Sequence, residues 1–269
     1  QKIETAQKTG ILSLREHKLD DVPDSVYELS NLRTLDLSKN NLTVLGRNLV
    51  NLANLKSLNC DSNKLQPGSL APVSRLSKLQ TLSAGGNRLG EPSRTEGPSQ
   101  PQPEPLPSLP VSLKQLKLDT NFFSSVPPQI CNPSLVKLEK LDLSFNFLAT
   151  IPAGIAYLTS LVDINLDSNS IVSLPEEIGQ LKKLKALSLR NNHIQVHSTV
   201  FSEKNPQPIP ESLFTNTLVI DLNLHGNKMT NTQLNDFQGF HFFLERRTKV
   251  KNKNVYGGAL TDLNVCGLE

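Results

Sequence analysis

A chain of 269 residues could hold two domains at the usual ~150 residues each, yet only 37% of its residues are hydrophobic, which is thin for a globule of that size. Its formal charge of +3 comes from one place: residues 245–253 carry Arg246, Arg247, Lys249, Lys251 and Lys253 against Glu245, and the remainder sums to −1, which excludes a global field for nucleic acid. No apolar run approaches a membrane span or a targeting core, and three scattered cysteines without terminal clusters point to a reducing, cytoplasmic compartment.

The chain opens with Ile3 to Lys8, closed by Gly10, a spelling that predicts a short helix over residues 1–10. After it a pattern begins, written most clearly as Leu32-x-x-Leu35-x-Leu37-x-x-Asn40-x-Leu42. Aligned on that asparagine, the chain shows a column of His17, Asn40, Asn63, Asn87, Asn121, Asn146, Asn169, Asn192 and Asn227, spaced by 23, 23, 24, 34, 25, 23, 23 and 35 residues. Three and five residues before the column stand Leu14 and Leu12, Leu37 and Leu35, and their equivalents through Leu224 and Leu222. Alternation of this kind puts the apolar pair on one face of a short strand and the residues between them on the other. Asparagine suits the end of such a strand, because its amide both donates to and accepts from backbone groups left open by the turn. The turns before Asn63 and Asn87, with Cys60 and Ala84 in place of leucine, are the weaker ones.

A single turn buries too little to fold alone, so repeats in register from residue 11 to 230 predict one continuous stack. Val22-Pro23, Val126-Pro127, Ile151-Pro152 and Leu174-Pro175 mark the bend into the convex side, where a fixed φ helps and no ladder donor is needed. Residues 90–110 interrupt the stack with seven prolines and read as an extended loop, whose Pro98 to Pro101 and Pro107 to Pro110 spellings lack a flanking basic residue and suit a spacer better than a docking motif. Residues 195–215 read as a second loop. Leu234, Phe237, His241 and Leu244, with Phe240, Phe242 and Phe243 beside them, predict a capping helix over 231–254 with a basic end, and 255–269 remain as a tail. Asn41-Leu42-Thr43 spells a glycosylation acceptor, but Leu42 is expected to point inward.

The pattern resembles the 23-residue class of intracellular leucine-rich repeats over about four fifths of the chain. Residues 4–10, with Leu14, Leu19 and Pro23, together with residues 129–131 and 239–247, are similar to the family of leucine-rich repeat-containing protein 57. That resemblance implies an α/β solenoid, a right-handed horseshoe with a concave parallel sheet of about nine short strands and helical caps at both ends. It also implies a small non-catalytic protein, often myristoylated at an N-terminal Met-Gly. The two proline-bearing insertions depart from the family's compact pattern.

Nothing in the chain spells a phosphate loop, a metal site or a cofactor site. His193 and His197 are four apart but lack convergent ligands, and a buried Cys60 would be a poor nucleophile. Function is therefore expected on surfaces. The concave face offers Asp36, Asp61, Lys117, Asp119, Asp142, Asp163, Asp167, Arg190 and Asp221 as an acidic trough for a basic segment of a protein partner. Phe122, Phe145 and Phe147, around the column in adjacent turns, offer an aromatic rim. The alternative is a peripheral membrane adaptor, lipid-anchored and touching anionic lipid through Arg246, Arg247, Lys249, Lys251 and Lys253. Either way the chain is expected to work as a monomer.

Overall fold

The computed structural model describes residues 2–91, 104–196, 201–202, 206–254 and 265–268. Nine three-residue strands, β1 (Ile11–Ser13), β2 (Thr34–Asp36), β3 (Ser57–Asn59), β4 (Thr81–Ser83), β5 (Gln115–Lys117), β6 (Lys140–Asp142), β7 (Asp163–Asn165), β8 (Ala186–Ser188) and β9 (Asp221–Asn223), pair in chain order in one open parallel sheet. Register holds throughout: Leu12, Leu35, Leu58, Leu82, Leu116, Leu141, Ile164, Leu187 and Leu222 stand opposite one another. Each is almost wholly buried, and the weak turns stay in line, with Cys60 and Ala84 fully covered.

The asparagine column ties neighbouring turns together. Asn40 Oδ1 accepts the backbone N–H groups of His17 and Leu19, both at 3.0 Å, while its Nδ2 donates to the carbonyls of Leu14 and Leu37. Asn63, Asn87, Asn121, Asn146, Asn169, Asn192 and Asn227 repeat the arrangement one turn further along. His17, with no preceding turn to bind, is exposed and turns its ring to Arg15 O and Lys2 Nζ. The residue before each column position adopts a left-handed backbone: Glu16, Lys39, Ser62, Gly86, Thr120, Phe145, Ser168, Asn191 and Gly226 have φ between 53° and 75°.

On the convex side most repeats make one short helical turn, as α2 (Asp24–Tyr27) and the 3₁₀ turns Arg47–Asn51, Ala71–Arg75, Ala153–Tyr157 and Glu176–Gln180, whereas the chain between β5 and β6 makes the bend without one. Pro23, Pro152 and Pro175 each stand at the N-cap of such a turn, with φ between −73° and −58°. Pro210 does the same for α3 (Glu211–Asn216), which corrects the reading of 195–215 as a loop: Ile209-Pro210-x-x-Leu213 spells the convex arm of the eighth turn. The proline-rich insertion also ends differently from a spacer. Leu106 and Leu109 are buried, Pro110 is buried too, and Glu104 O accepts Gly68 N at 3.0 Å, so 104–110 rejoin the core; Pro98 and Pro101 lie outside the described residues.

Both ends are covered. α1 (Lys2–Thr9) buries Ala6 over the first turn and stops at Gly10, whose N–H reaches Ala6 O at φ 72°. The expected helix over 231–254 is two, α4 (Asn231–Asn235), begun by a Thr230–Gln233 capping box, and α5 (Phe240–Asn254), separated at Gly239 with φ 78°. That break resets the helical phase, so Leu234, Phe237, Phe240 and Phe243 are buried while His241 and Phe242 face solvent. Phe214 of α3 meets Phe240 edge-on at 5.5 Å, and Phe240 stacks on Phe243 at 5.4 Å. The end of the expected tail docks as well: Leu224 N donates to Cys266 O at 2.8 Å, the bond that each earlier turn makes to its successor, and Leu268 is buried.

Candidate interaction surfaces

The outward face of the sheet encloses an open trough of about 470 Å³, lined by residues of β4 to β8 that include Lys117, Lys140, Asp142 and Asp163, and by Asp167 just beyond β7. Much of its polarity first serves the strand ends. Asp36 Oδ1 accepts the N–H and the hydroxyl of Ser38, and Asp142 Oδ1 those of Ser144. Where a strand ends in Ser83 or Ser188, the carboxylate of the preceding turn reaches across: Asp61 Oδ1 takes Ser83 Oγ and Gly85 N at 2.7 Å, and Asp167 Oδ1 takes Ser188 Oγ and Arg190 N. Each such carboxylate keeps a second oxygen for other use.

At the centre, Lys117 Nζ lies 3.3 Å from Asp119 and 4.0 Å from Asp61, spanning three turns. Gly85 permits this, because a side chain there would collide with the Asp119 carboxylate. Burial works against the Lys117 ammonium, but Asp119 and Asp61 outweigh it and hold its pKa above the usual lysine value. Burial pushes the Asp119 carboxyl upward, with help from Asp142 and against Lys117. Asp142, Asp163 and Asp167 enter none of the described ion pairs. Asp36 is half-buried on the N-terminal side, whereas Asp221 and Arg190 are exposed toward the other end. Sequence reasoning passed over Lys140. Lys140 occupies the strand position that singled out Asp163 and Asp221, which was signal enough.

Along the rim the three phenylalanines come together in part. Phe122 and Phe147 meet with ring centroids 6.1 Å apart, and Phe122, Phe145 and Phe147 are 43%, 61% and 60% exposed. Phe123, next in the chain, is the buried one. Of the basic C-terminal set, Arg246 turns inward and donates from Nε to Val219 O at 3.2 Å, Arg247 is half-buried, and Lys249 is exposed; the side chains of Lys251 and Lys253 lie outside the described residues.

No group of His, Cys, Asp and Glu among the described residues is arranged to hold a metal ion. Burial raises all three thiols, Cys131 to about 11 and Cys266 to about 12, which leaves no thiolate nucleophile near neutral pH. No helix among the described residues is long and apolar enough to cross a membrane.

The leucine rich repeat profile matches residues 9–65, 111–171 and 136–194, more than half of the chain, and the chain belongs to that family. It is 32% identical to osteomodulin of Bos taurus over 187 residues, 68% of this chain and 40% of that protein. Against human lumican it is 28% identical over 225 residues, 82% of this chain and 59% of lumican. The chain thus spans about half the length of these curated relatives. Among solved structures, a leucine-rich-repeat protein of Leptospira interrogans superposes with a TM-score of 0.55 at 25% identity, covering 88% of this chain and 73% of that one. The ectodomain of a membrane receptor kinase of Arabidopsis thaliana, solved in complex with CASPARIAN STRIP INTEGRITY FACTOR 2, gives 0.53 at 26% identity over 84% of this chain and 29% of its own. Solenoids of this family commonly mediate protein–protein interaction, and the fold is typically non-catalytic.

Proposed function

We propose that this chain is a non-catalytic, cytoplasmic scaffold that grips a basic segment of a protein partner along the acidic trough of its sheet. The observation that supports this reading is a division of labour. Lys117 is held by Asp61 and Asp119 within the sheet, whereas Asp142, Asp163 and Asp167 face an open trough outside every described ion pair. A lysine or arginine entering there gains charge-assisted hydrogen bonds without breaking an internal one. The test is affinity capture with cross-linking at physiological salt, comparing the intact chain with Asp142→Lys/Asp163→Lys. The reading requires loss of a defined set of partners, with cross-links from Lys117 or Lys140 in the intact chain; unchanged capture would sink it.

The likeness of the chain ends to the family of leucine-rich repeat-containing protein 57 supports a second reading, a myristoyl-anchored peripheral adaptor. Its basic contact would fall to the residues beyond Arg246, because that arginine is engaged with Val219. Flotation with liposomes containing or lacking phosphatidylserine decides it, and equal behaviour in both removes the lipid role.

A further inference from the structure

We propose that the rim above the sheet is a second docking surface, built for an acidic partner segment with large apolar side chains, which Lys64 and Arg88 meet by charge and Phe122, Phe145 and Phe147 by contact. Nothing in the fold asks for phenylalanine at these places. The core does not use them, since all three are exposed. The backbone opposes two of them: Phe145 has φ 54° and Phe122 has φ 66°, a left-handed conformation that glycine or asparagine adopts at less cost. Large aromatics kept exposed, two of them against their backbone preference, suit an anchor for something outside the chain.

The neighbouring charges say what that something carries. Immediately before and after the asparagine column, the nine turns present Lys18, Lys39, Lys64, Arg88 and Lys228 against a single carboxylate, Glu16. Glu16 is already occupied by Lys39 at 2.9 Å and Arg15 at 3.4 Å, and the lysine contact holds its pKa below the usual glutamate range. Lys64, Arg88, Phe122 and Phe147 occupy the same position in four successive turns, on the loops after β3 to β6. At about 4.8 Å per strand the row is roughly 14 Å long, the length of four or five extended residues. A segment with acids at one end and apolar side chains at the other fits that order. A second copy meeting the row through its own rim would bring like charges, its carboxylate trough lacks the exposed large apolar side chains that the phenylalanines call for, and a nucleic acid would lay its phosphates beside the carboxylates of the trough, so an acidic polypeptide segment is the occupant.

This surface is distinct from the trough, and the experiment keeps the two apart. The probe is a labelled peptide alternating serine with two glutamates, a leucine and a phenylalanine, titrated by fluorescence anisotropy at physiological salt, beside its glutamine counterpart and an oligothymidylate. Saturable binding is expected, weaker by about tenfold for Phe122→Ser/Phe147→Ser and for Lys64→Glu/Arg88→Glu, which carry exposed changes and should keep the parent Tm. The glutamine peptide should bind several-fold less tightly, and Asp142→Lys/Asp163→Lys should bind like the parent. Absence of saturable binding, indifference to the glutamates or to the phenylalanines, loss on reversal of the trough, or tighter binding of the oligothymidylate would each overturn the proposal.

Discussion

The amide of Asn121 shows how much one side chain carries. It is fully buried, accepts Leu89 N, and donates toward the carbonyls of Ala84, Leu118 and Asp119, so it satisfies groups in two turns at once. Asn121→Leu keeps the branching of the side chain and none of these bonds; it should cost about 3 kcal/mol, read as a lower urea midpoint with unchanged m-value. Phe145→Gly should act the other way. Relief of the left-handed backbone outweighs the added freedom of glycine in the unfolded chain, for a gain of about 0.5 kcal/mol in thermal unfolding, and rim binding should weaken at the same time. The asparagine column could be read from sequence because only one kind of chemistry fills it well. The left-handed position before it could not, because Glu, Lys, Ser, Gly, Thr, Phe and Asn all occur there and no residue type announces the conformation.

At the scale of elements, the strands were legible and the closures were not. A strand here is a leucine pair at fixed distance from an asparagine, and strict repetition locates all nine. The ends break repetition by necessity. Gly239 divides the C-terminal cap and shifts which side chains face inward, turning His241 out and Phe240 in, an effect that helical periodicity cannot anticipate across a break. The convex arm Ile209 to Leu213 was hidden by the insertion beside it, although its Ile-Pro spelling repeats Ile151-Pro152. Cys266 and Leu268 carry no repeat signature, yet the Cys266 carbonyl continues the ladder beyond β9. Deleting residues 265–269 from the full chain should therefore speed hydrogen exchange at Leu224 N far more than at Leu143 N, which stays bonded to Asn165 O. Equal protection at Leu224 in both forms would show that the last turn closes without this segment.

Across the whole molecule, two strips of opposite charge run side by side along the stack: a sheet face with seven carboxylates against Arg15, Lys117, Lys140 and Arg190, and a rim that is cationic and aromatic. Lys117 is the residue where stability and the proposed capture should pull apart. It neutralises Asp61 and Asp119 across three turns, and Asp142 lies close enough to feel it. Lys117→Met keeps the length of the side chain and removes the charge. The folded-state pKa of Asp119, already above its ordinary 3.8, must then rise further. A carboxyl whose folded pKa is raised favours the fold while protonated and loses that contribution as pH climbs through the folded value. The variant should thus fall below the parent in Tm near pH 7 and approach it near pH 4; an equal deficit at both would mean that the methylenes of Lys117, not its charge, were at work. The basic segment proposed for the trough should respond in the opposite sense. With its internal competitor gone, the trough offers Asp61 and Asp119 as well as Asp142, so the less stable protein should hold that partner more tightly, and the gain should vanish in high salt.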